Sequence, residues 1–594
     1  MTKTSMKNLL SEHRVDAVIS QIVWERIIIH FTIKVRVTTG ANLPLQFYMV
    51  SANGFANAEL KVNEIRDDEY HVSINVTNPG YCRCLQSGTY TIVICHNDEA
   101  LCIPTVSLEL AKKLSSLSHM FLHSGQTMGY SVDFGFVEGD EDLHLQIRAQ
   151  DMERDRNEVR WNPLDKEQLS RKEKLRKVLH KWLLIPKRRL IQTYYRFRIH
   201  IEKLKHGKQT VLFMSEQNET LKGNVRSVYE RMKQRNLDQK YRILVSTRNM
   251  LGKGGYGILN WLHFVSKVAS ADILFVDDHC PFMDWLVLDK KTKVIQLWHA
   301  GAGYKSVGYS RWGHAGSPKA VCAHRQYDYG ITPSHNIAFF FSEQFGINEE
   351  QILPTGMPRM DLYLDEDHKQ SVIKELHEKY PQVVDKEVIL FAPTYRGNNR
   401  KTAHYPYQMI DFDELYDACG DEYIVLFKMH PWVSEAVPIP NQYKDRFIDA
   451  GRYPDINDLY YITDLLITDY SSSVFEFSLM KKPMLFFAFD EFQYEYSRGF
   501  HREYRPACPG RVCNTFQELL EAIRTKDFEF EKNEPYLAYH FDHFDSHASD
   551  RVIEWFVEGQ LPAETEQALK KIQEKNQRLL QLDFSGLNWR GIKK

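Results

Sequence analysis

Two successive series of short apolar runs organise the chain from residue 209 onward. The first comprises QTVLFMS, YRILVST, ADILFVDD, KVIQLWH, YDYGIT and EQILPTG, and the second EVILFAPTY, EYIVLFKMH, DLLITDY and PMLFFAF. Helical or loop stretches separate the runs, an alternation typical of parallel sheets covered by helices on both faces. Because a break near residues 357–386 divides the series, the pattern predicts two facing Rossmann-like lobes, over residues 209–370 and 371–562.

The flanking segments have a different character. Residues 1–150 contain β-branched and aromatic runs, such as RIIIHFTIKVRV and GTYTIVIC, between NG, NPG and SG turn signals. This spacing predicts an N-terminal all-β domain of the sandwich or small-barrel kind. Residues 151–208 are predicted as a basic helical linker, and residues 563–594 as a polar helix with a tail. The predicted fold class is therefore α/β, preceded by a β domain.

Cysteine usage and hydropathy indicate the cellular compartment in which the protein is expected. The nine cysteines are scattered, and only Cys82 and Cys84 lie close together. Their spacing lacks the two-residue gap and the partner pair of a zinc site, which favours reduced thiols. The chain opens without an apolar signal core, and no run of about 18 apolar residues occurs in it. We therefore expect a cytoplasmic protein that does not span a membrane.

A strongly basic segment is hidden in the formal net charge of −2. Residues 171–208 carry fourteen Lys or Arg and two Glu, a local balance of +12, with apolar residues at helical spacing on both sides of Pro186. A basic helical pair broken at Pro186 would suit an anionic membrane surface. A solvated linker helix that packs its stripe on a neighbour would show the same pattern. Nucleic acid is disfavoured, because no recognition motif accompanies the charge.

Polar side chains follow the predicted strands at their carboxyl ends, where open parallel sheets bind ligands. They are His299 after VIQLW, Arg396 after FAPTY, His430 after VLFKM, and Thr468, Asp469, Ser471 and Ser472 after DLLI. We expect them to gather in one cleft between the lobes. With an ordinary pKa near 6.5, histidine is well suited to accept a hydroxyl proton at neutral pH. Lys305 and Arg359 would add positive charge around a leaving phosphate.

The serines indicate a phosphate site. Ser471 and Ser472 stand where a strand turns into the helix SVFEFSLMKK, where free backbone N–H groups and the helix dipole favour phosphate oxygens. The same serines could instead only cap the helix. Ser473 and Glu476 have the spacing of a capping box, so Glu476 could simply close it. Two histidines and an arginine across the cleft favour a shared anion.

Several nucleotide and metal motifs are missing from the sequence. GKGGYG at residues 252–257 lacks the Gly-Lys-Ser/Thr ending of a phosphate loop, and no G-x-G-x-x-G follows the first strands. Asp277 and Asp278 lack the intervening residue of a DxD motif. The sequence thus disfavours a kinase-like site and a nicotinamide cofactor, and it assigns no metal ligands.

A set of ordered motifs resembles the CDP-glycerol glycerophosphotransferase family. They are LWHAGAGYKSVGYS, LPTGMPRMD, FAPTYRGN, FKMHP and ITDYSSSVFEF, followed by FFAFDEFQYEYSRGF. Enzymes of this family polymerise alditol phosphates into teichoic acids and related capsule polymers. The resemblance implies that His299 and His430 are the essential pair, and that Ser471 and Ser472 hold the CDP phosphates. The stretch AGAG at residues 300–303 departs from many relatives, and WER at residues 24–26 resembles the appended domain of ribitol-phosphate polymerases more weakly.

The resemblance implies a GT-B-like enzyme on the inner face of the cell membrane. It would transfer glycerol phosphate or ribitol phosphate from CDP-glycerol or CDP-ribitol to the hydroxyl end of a lipid-linked teichoic acid, releasing CMP. His299 is the expected base, with His430 and Arg396 on the transferring phosphate, although the histidine roles could be exchanged. The expected donor-binding residues are Lys305, Arg359, Thr468, Asp469, Ser471, Ser472 and Glu476.

Other functions remain open at this stage. A GT-B glycosyltransferase would use the same fold with a nucleotide sugar, and a non-enzymatic polymer-binding protein would act through the β domain. No cofactor is assigned, and a divalent cation at the diphosphate is left open. The motifs contact the CDP half that both donors share, so only the β domain favours ribitol over glycerol.

Overall fold

The computed structural model describes residues 15–37, 43–51, 57–123, 128–138, 142–152, 171–204, 207–248, 257–301, 304–314, 317–397 and 400–582, with the backbone alone at 123, 128, 138 and 171–186. Within these residues no helix is long and apolar enough to cross a bilayer.

Strands account for most of the described residues up to 151. They are β1 (Val15–Glu25), β2 (Ile28–Val37), β3 (Gln46–Ser51), β4 (Ala58–Glu59), β5 (Lys61–Arg66), β6 (Glu69–Asn75), β7 (Gly88–His96), β8 (Glu99–Cys102), β9 (Thr105–Val106), β10 (His119–His123), β11 (Met128–Glu138) and β12 (Leu143–Asp151). They form one sheet with the path β4-β3-β7-β12-β9-β1-β2-β6-β5, and its pairs are antiparallel except β1 with β9. Two short helices, α1 (Leu108–Ala111) and α2 (Leu114–Leu117), accompany them. Buried and exposed side chains alternate along most of β1, so one face of that strand packs inward.

A long helix, α3 (Arg171–Lys203), leads into the first lobe. The sequence predicted a helical pair broken at Pro186, and this prediction is wrong, because one helix runs through the proline. Proline removes a single backbone donor, and the turns that follow pack firmly on the lobe through buried Ile191, Tyr195 and Ile199. The second half of the helix is therefore a packed element of the lobe.

The first lobe is built on a six-stranded parallel sheet. Its strands are β13 (Thr210–Ser215), β14 (Arg242–Thr247), β15 (Ile273–Val276), β16 (Lys293–Gln296), β17 (Tyr329–Ile331) and β18 (Ile352–Leu353), in the order β14-β13-β15-β16-β17-β18. Its helices are α4 (Gly223–Gln234), α5 (Ile258–Ser270) and α6 (Ala338–Phe345). Every residue of β13 and β15 is buried, as expected for strands covered on both faces.

The second lobe repeats the plan. Its parallel strands are β19 (Glu387–Phe391), β20 (Tyr423–Phe427), β21 (Phe447–Asp449), β22 (Leu465–Thr468), β23 (Met484–Phe487) and β24 (Arg511–Cys513), in the order β21-β20-β19-β22-β23-β24. Its helices are α7 (Glu366–Lys379), α8 (Phe412–Cys419), α9 (Ile456–Leu459), α10 (Ser473–Ser478), α11 (Glu491–Arg498), α12 (Phe516–Thr525) and α13 (Asn533–His540). Alternate strand residues feed two separate cores, one on each face of the sheet. The strand order reverses between β19 and β22, the place where such sheets bind ligands.

The C-terminal segment crosses back to the first lobe. Helix α14 (Ala548–Val552) and a π-helical turn (Ile553–Val557) precede α15 (Ala563–Gln581). Phe541, Val552 and Phe556 lie in the core of the first lobe, although the sequence assigned residues up to 562 to the second. The sequence did not reveal this crossing because an apolar helix face is equally compatible with either lobe.

Candidate active site

A cavity of about 640 Å³ lies between the two parallel sheets. Its walls are formed at the carboxyl ends of both sheets, by His299 and Lys305 from the first lobe and by His430, Ser471 and Ser472 from the second. The structure therefore brings together five of the residues that the sequence selected.

His299 enters this cavity because the chain turns sharply after β16. Trp298 has a φ of 48°, in the left-handed region that non-glycine residues rarely adopt. Asn224, buried on α4, holds the turn by donating from Nδ2 to the carbonyl oxygens of Leu297 (2.8 Å) and Trp298 (3.0 Å). Arg359 adds a clamp, because its guanidinium donates to the carbonyl oxygen of His299 at 2.6 Å. The imidazole itself stays 54% exposed.

Asp278, which follows β15, faces the same imidazole. Its Oδ2 lies 3.6 Å from His299 Nδ1, and both residues line the cavity. This distance exceeds a direct hydrogen bond, but it places the carboxylate beside the Nδ1 edge of the ring. With Nδ1 turned to Asp278, Nε2 is left to meet a substrate. The arrangement suits a base that takes up a proton and becomes a cation.

His430, on the second lobe, is held neutral by its surroundings. The backbone N–H of Trp432 donates to its Nδ1 at 3.1 Å, so the neutral ring carries its proton on Nε2. Burial, together with the charges of Lys305 and Lys428, lowers the pKa of His430 to about 4. At neutral pH His430 is therefore an uncharged hydrogen-bond donor and not a base.

Lys305 reaches the cavity on a loop that joins the two lobes. Lys305 pairs with Phe500 in an antiparallel bridge, flanked by hydrogen bonds from Ser306 N to Gly499 O (2.9 Å) and from His501 N to Tyr304 O (3.1 Å). Just before this loop, Gly301 packs so tightly on Phe475 of α10 that a Cβ would lie 2.0 Å from the ring. Only glycine fits at this approach.

The serine loop presents its hydroxyls to the cavity. Ser472 occupies the N-cap position of α10 without a side-chain cap bond. Ser471 Oγ instead accepts from the backbone N–H of Ser473 at 3.2 Å and donates to the Ser473 hydroxyl at 3.0 Å. The capping box predicted for Ser473 and Glu476 does not form, because Glu476 is buried against Arg359, with which it forms an ion pair.

Arg396 lies behind the serine loop. Its guanidinium binds Asp490 through Nε at 2.6 Å and Nη2 at 2.8 Å, and Nη1 lies 3.0 Å from Asp469 Oδ2. Burial opposes its charge, but these two carboxylates raise the pKa of Arg396 above its ordinary value. Asp469 in turn accepts from the backbone N–H groups of Thr394 (2.8 Å) and Tyr470 (2.6 Å). The geometry is that of a structural ion pair that fixes two strand ends.

The remaining predicted residues also lie outside the cavity lining. Thr468 is buried and donates to the carbonyl oxygen of Ala392 at 2.8 Å. Arg359 and Glu476 are joined beneath His299, so their charges satisfy one another. Five predicted residues therefore support the lining from behind: Arg359, Arg396, Thr468, Asp469 and Glu476.

The sequence model of one protein family matches residues 195–558, and its description is CDP-Glycerol:Poly(glycerophosphate) glycerophosphotransferase. The match covers more than half of the chain and every cavity residue named above. The chain belongs to this family.

Two curated teichoic acid polymerases align with more than half of the chain. The teichoic acid ribitol-phosphate polymerase TarL of Staphylococcus aureus is 39% identical over 353 residues, which are 59% of this chain and 62% of the relative. The teichoic acid poly(ribitol-phosphate) polymerase of Bacillus spizizenii is 39% identical over 350 residues, 58% of this chain and 56% of the relative. The chain thus spans about six tenths of the length of these relatives.

Solved structures agree with this fold. A structure of the wall teichoic acid polymerase TagF superposes with a TM-score of 0.51 at 23% identity, and the match covers 68% of this chain and 99% of TagF. At this identity the comparison establishes a shared mixed α/β fold.

Sequence reasoning missed several side chains of this cavity, among them Asp278, Tyr395, Lys428 and Trp432. Asp278 could have been predicted, because it follows a strand in the same way as His299. The sequence pattern instead drew attention to it only as part of an incomplete DxD metal motif. Lys428 belongs to the FKMHP motif and donates to the carbonyl oxygens of Gly451 (2.9 Å) and Tyr453 (2.8 Å). Among the described residues no group of three or more His, Cys, Asp or Glu is arranged to hold a metal ion.

Proposed function

We propose that this chain transfers an alditol phosphate from a CDP-alditol to the hydroxyl end of a lipid-linked teichoic acid and releases CMP. The observation that carries this proposal is one cavity in which a carboxylate-backed histidine faces a neutral histidine, a lysine and a serine loop. The family description and the names of the relatives, both polymerases of alditol phosphates, support it.

We further propose the GT-B arrangement and CDP-ribitol as donor. Two parallel sheets with their carboxyl edges on one cavity, and a C-terminal segment that returns to the first lobe, fit a GT-B enzyme. Both relatives at 39% identity have ribitol phosphate in their names, which favours ribitol over glycerol.

The geometry suggests how the reaction proceeds. The acceptor hydroxyl attacks the β-phosphorus of the donor, and the bond from that phosphorus to the bridging oxygen breaks as CMP leaves with its electron pair. His299 takes the hydroxyl proton through Nε2, and Asp278 stabilises the resulting cation. His430 donates from Nε2 to a phosphate oxygen while Lys305 offsets the developing charge. Phosphoryl transfer depends mainly on such positioning and electrostatics.

Turnover of defined donors tests the function. Full-length protein would receive CDP-ribitol, CDP-glycerol or a UDP-sugar, together with a short lipid-linked primer. The proposal predicts CMP release and polymer growth with a CDP-alditol. UDP release would instead identify a glycosyltransferase, and binding of the polymer without turnover a non-enzymatic protein.

Removing both serine hydroxyls should weaken donor binding more than it destabilises the fold. In Ser471→Ala/Ser472→Ala the KM for the CDP donor should rise, while unfolding free energy falls by no more than about 1 kcal/mol, the scale of a lost helix cap. Thr515→Ala is the control, because Thr515 caps α12 by accepting from Glu518 N at 3.2 Å, outside the cavity. An unchanged KM with a large loss of melting temperature would show that the serines only support the structure.

The basic helix is proposed to hold the enzyme on the cytoplasmic face of the membrane. Lys187 and Arg188 lie 5.8 Å and 5.3 Å from the ring centroids of Trp261 and Trp285, and Leu190 beside them is exposed. Arg188 and Arg189 are exposed on this helix, and exposed cations fit an anionic bilayer surface. All nine cysteines are free thiols, as the cytoplasm requires.

Reversing this charge should release the protein from membranes. Each Lys or Arg near an anionic surface contributes about 1 kcal/mol, screened over a Debye length of about 8 Å at physiological salt. Exchanging Lys187, Arg188 and Arg189 for Glu should abolish vesicle sedimentation but spare activity on a short soluble acceptor. Lys374, Lys570 and Lys571 exchanged for Glu form a control of equal charge at exposed positions. If the wild type ignores anionic vesicles at low salt, the helix is only a packed linker.

A further inference from the structure

Two arginines beside the cavity lack a carboxylate partner. Arg311 ends the 3-10 turn Gly308–Arg311 of the first lobe, and Arg498 is the last residue of α11 in the second. Among the described residues neither forms an ion pair. Arg498 donates to the carbonyl oxygen of Gly397, while Arg311 Nε is buried without any hydrogen-bond partner.

The two guanidinium groups lie close to one another and to the same aromatic wall. The Arg498 guanidinium lies 5.4 Å from the ring centroid of Tyr395, a residue that lines the cavity. Burial, reinforced by the charge of Arg498, lowers the pKa of Arg311, which also has the phenols of Tyr395 and Tyr494 as neighbours. Two like charges are thus held together in a partly desolvated place.

Three other buried or half-buried arginines of this fold are neutralised by carboxylates, while Arg325 instead donates to the backbone carbonyl oxygens of Thr77 and Gly346. Arg396 meets Asp469 and Asp490, Arg359 meets Glu476, and Arg248 meets Glu216. A partly buried cation without a counter-charge is costly, and two adjacent ones are more so. Guanidinium groups bind phosphate oxygens through two parallel hydrogen bonds, which makes a phosphate the fitting counter-charge.

The N-terminal sheet fixes one member of the pair. Tyr309 and Trp312, on either side of Arg311, are buried in the core formed by β1–β12. The turn that carries Arg311 is therefore anchored by the N-terminal strands, and the position of its guanidinium does not depend on the cavity alone.

The location points to an anion other than the donor diphosphate. Lys305 lies 5.8 Å from the ring centroid of Tyr494, and Tyr494 also neighbours Arg311. Tyr494 thus neighbours both Lys305 and Arg311, so the positive charge at the cavity continues from Lys305 to Arg311 and Arg498. A growing poly(alditol phosphate) has one phosphodiester per unit, so a polymer whose terminal hydroxyl reaches His299 brings its next phosphate close behind.

We propose that Arg311 and Arg498 form a subsite for the phosphodiester nearest the reactive end of the acceptor polymer. This subsite rests on the proposed function. It would make the enzyme prefer an acceptor that is already polymeric over a neutral alditol, and it gives the N-terminal sheet a part in acceptor binding.

The test separates acceptor binding from donor binding. Arg311→Gln/Arg498→Gln is compared with the wild type and with Arg242→Gln/Arg524→Gln, which removes two exposed charges elsewhere. Calorimetry without donor measures the affinity for synthetic tri(ribitol phosphate). The double variant should bind it about tenfold or more weakly, and the control should be unchanged. In turnover, the KM for the trimer should rise, while the KM for CDP-ribitol and the rate with free ribitol stay constant.

Three results would overturn the subsite: an unchanged trimer affinity, an equal effect in the control pair, or a KM that rises for CDP-ribitol in place of the trimer. The last would assign the arginines to the donor diphosphate. If the glutamine variant does not fold, Arg311→Lys/Arg498→Lys keeps both charges without the paired geometry and should still weaken trimer binding. A wild type that releases no CMP defeats the proposed function, whereas the donor-free binding experiment tests the subsite independently.

Discussion

Alanine at His299 should reduce kcat by about 10²–10⁴-fold, the range in which a positioned general base contributes. The fold should survive, since the imidazole is half exposed and the strand end is held through backbone carbonyls by Asn224 and Arg359. Asp278→Asn should show a smaller loss of kcat with little change in KM, because Asp278 acts only through the ring. Steady-state CMP release measures both.

The control for this prediction is a second histidine–aspartate pair. His335 Nδ1 lies 2.9 Å from Asp542 Oδ1, and neither residue lines the cavity. His335→Ala therefore removes a similar histidine–aspartate contact away from the cavity. Its kcat should match the wild type. Normal turnover in a folded His299→Ala variant would exclude His299 as the base and return that role to another group.

Replacing Arg396 with alanine should be the most destabilising of the changes considered. It leaves Asp469 and Asp490 buried without a counter-charge, and breaking a buried pair in this way costs about 3–5 kcal/mol. Denaturant unfolding monitored by fluorescence should show a lower midpoint, and donor binding should fail as the serine loop loosens. Arg396→Ala/Asp490→Asn should recover part of the loss, since one orphaned charge is removed.

A surface pair provides the comparison. Arg511 and Asp527 approach to 2.6 Å, but Asp527 is largely exposed, so Arg511→Ala should cost at most about 1 kcal/mol. The sequence assigned Arg396 to the transferring phosphate. An Arg396→Ala variant of normal stability, in which kcat falls with KM unchanged, would support that assignment against the structural role.

Strands of the two lobes were predictable wherever they are buried on both faces. All six apolar runs of the first series and all four of the second coincide with observed strands. The two missed strands, β21 and β24, have three residues each and lie at the edges of their sheet. An edge strand needs fewer apolar residues, so its sequence resembles a loop. The break predicted at Pro186 failed because tertiary packing of the later turns outweighed one missing backbone donor.

The position of the candidate site could be predicted from the sequence, but the direction in which each side chain points could not. A sequence shows which residues follow a strand, so His299, His430 and the serines could be assigned to one cleft. It does not show whether a side chain points toward the cavity or back into the lobe. Arg396 and Asp469 follow strands equally closely, yet they turn toward each other. The groups that position the two histidines could not be predicted either. Asn224, which binds the carbonyl oxygens of Leu297 and Trp298 just before His299, lies more than 70 positions away in the sequence, and the bond to His430 Nδ1 comes from a backbone N–H.

The bridge between residues 304–306 and 499–501 also sets a mechanical limit on the enzyme. Lys305 follows the first lobe's strand β16 in the chain, yet its backbone pairs with Phe500 of the second lobe. On the near side, Gly301 packs on Phe475 of α10, and the Arg359 that holds the carbonyl oxygen of His299 is paired with Glu476 of the same helix. The chain around His299 is thus attached to the second lobe at several points, so a wider opening of the cavity must either break these contacts or carry the histidine along with the serine loop.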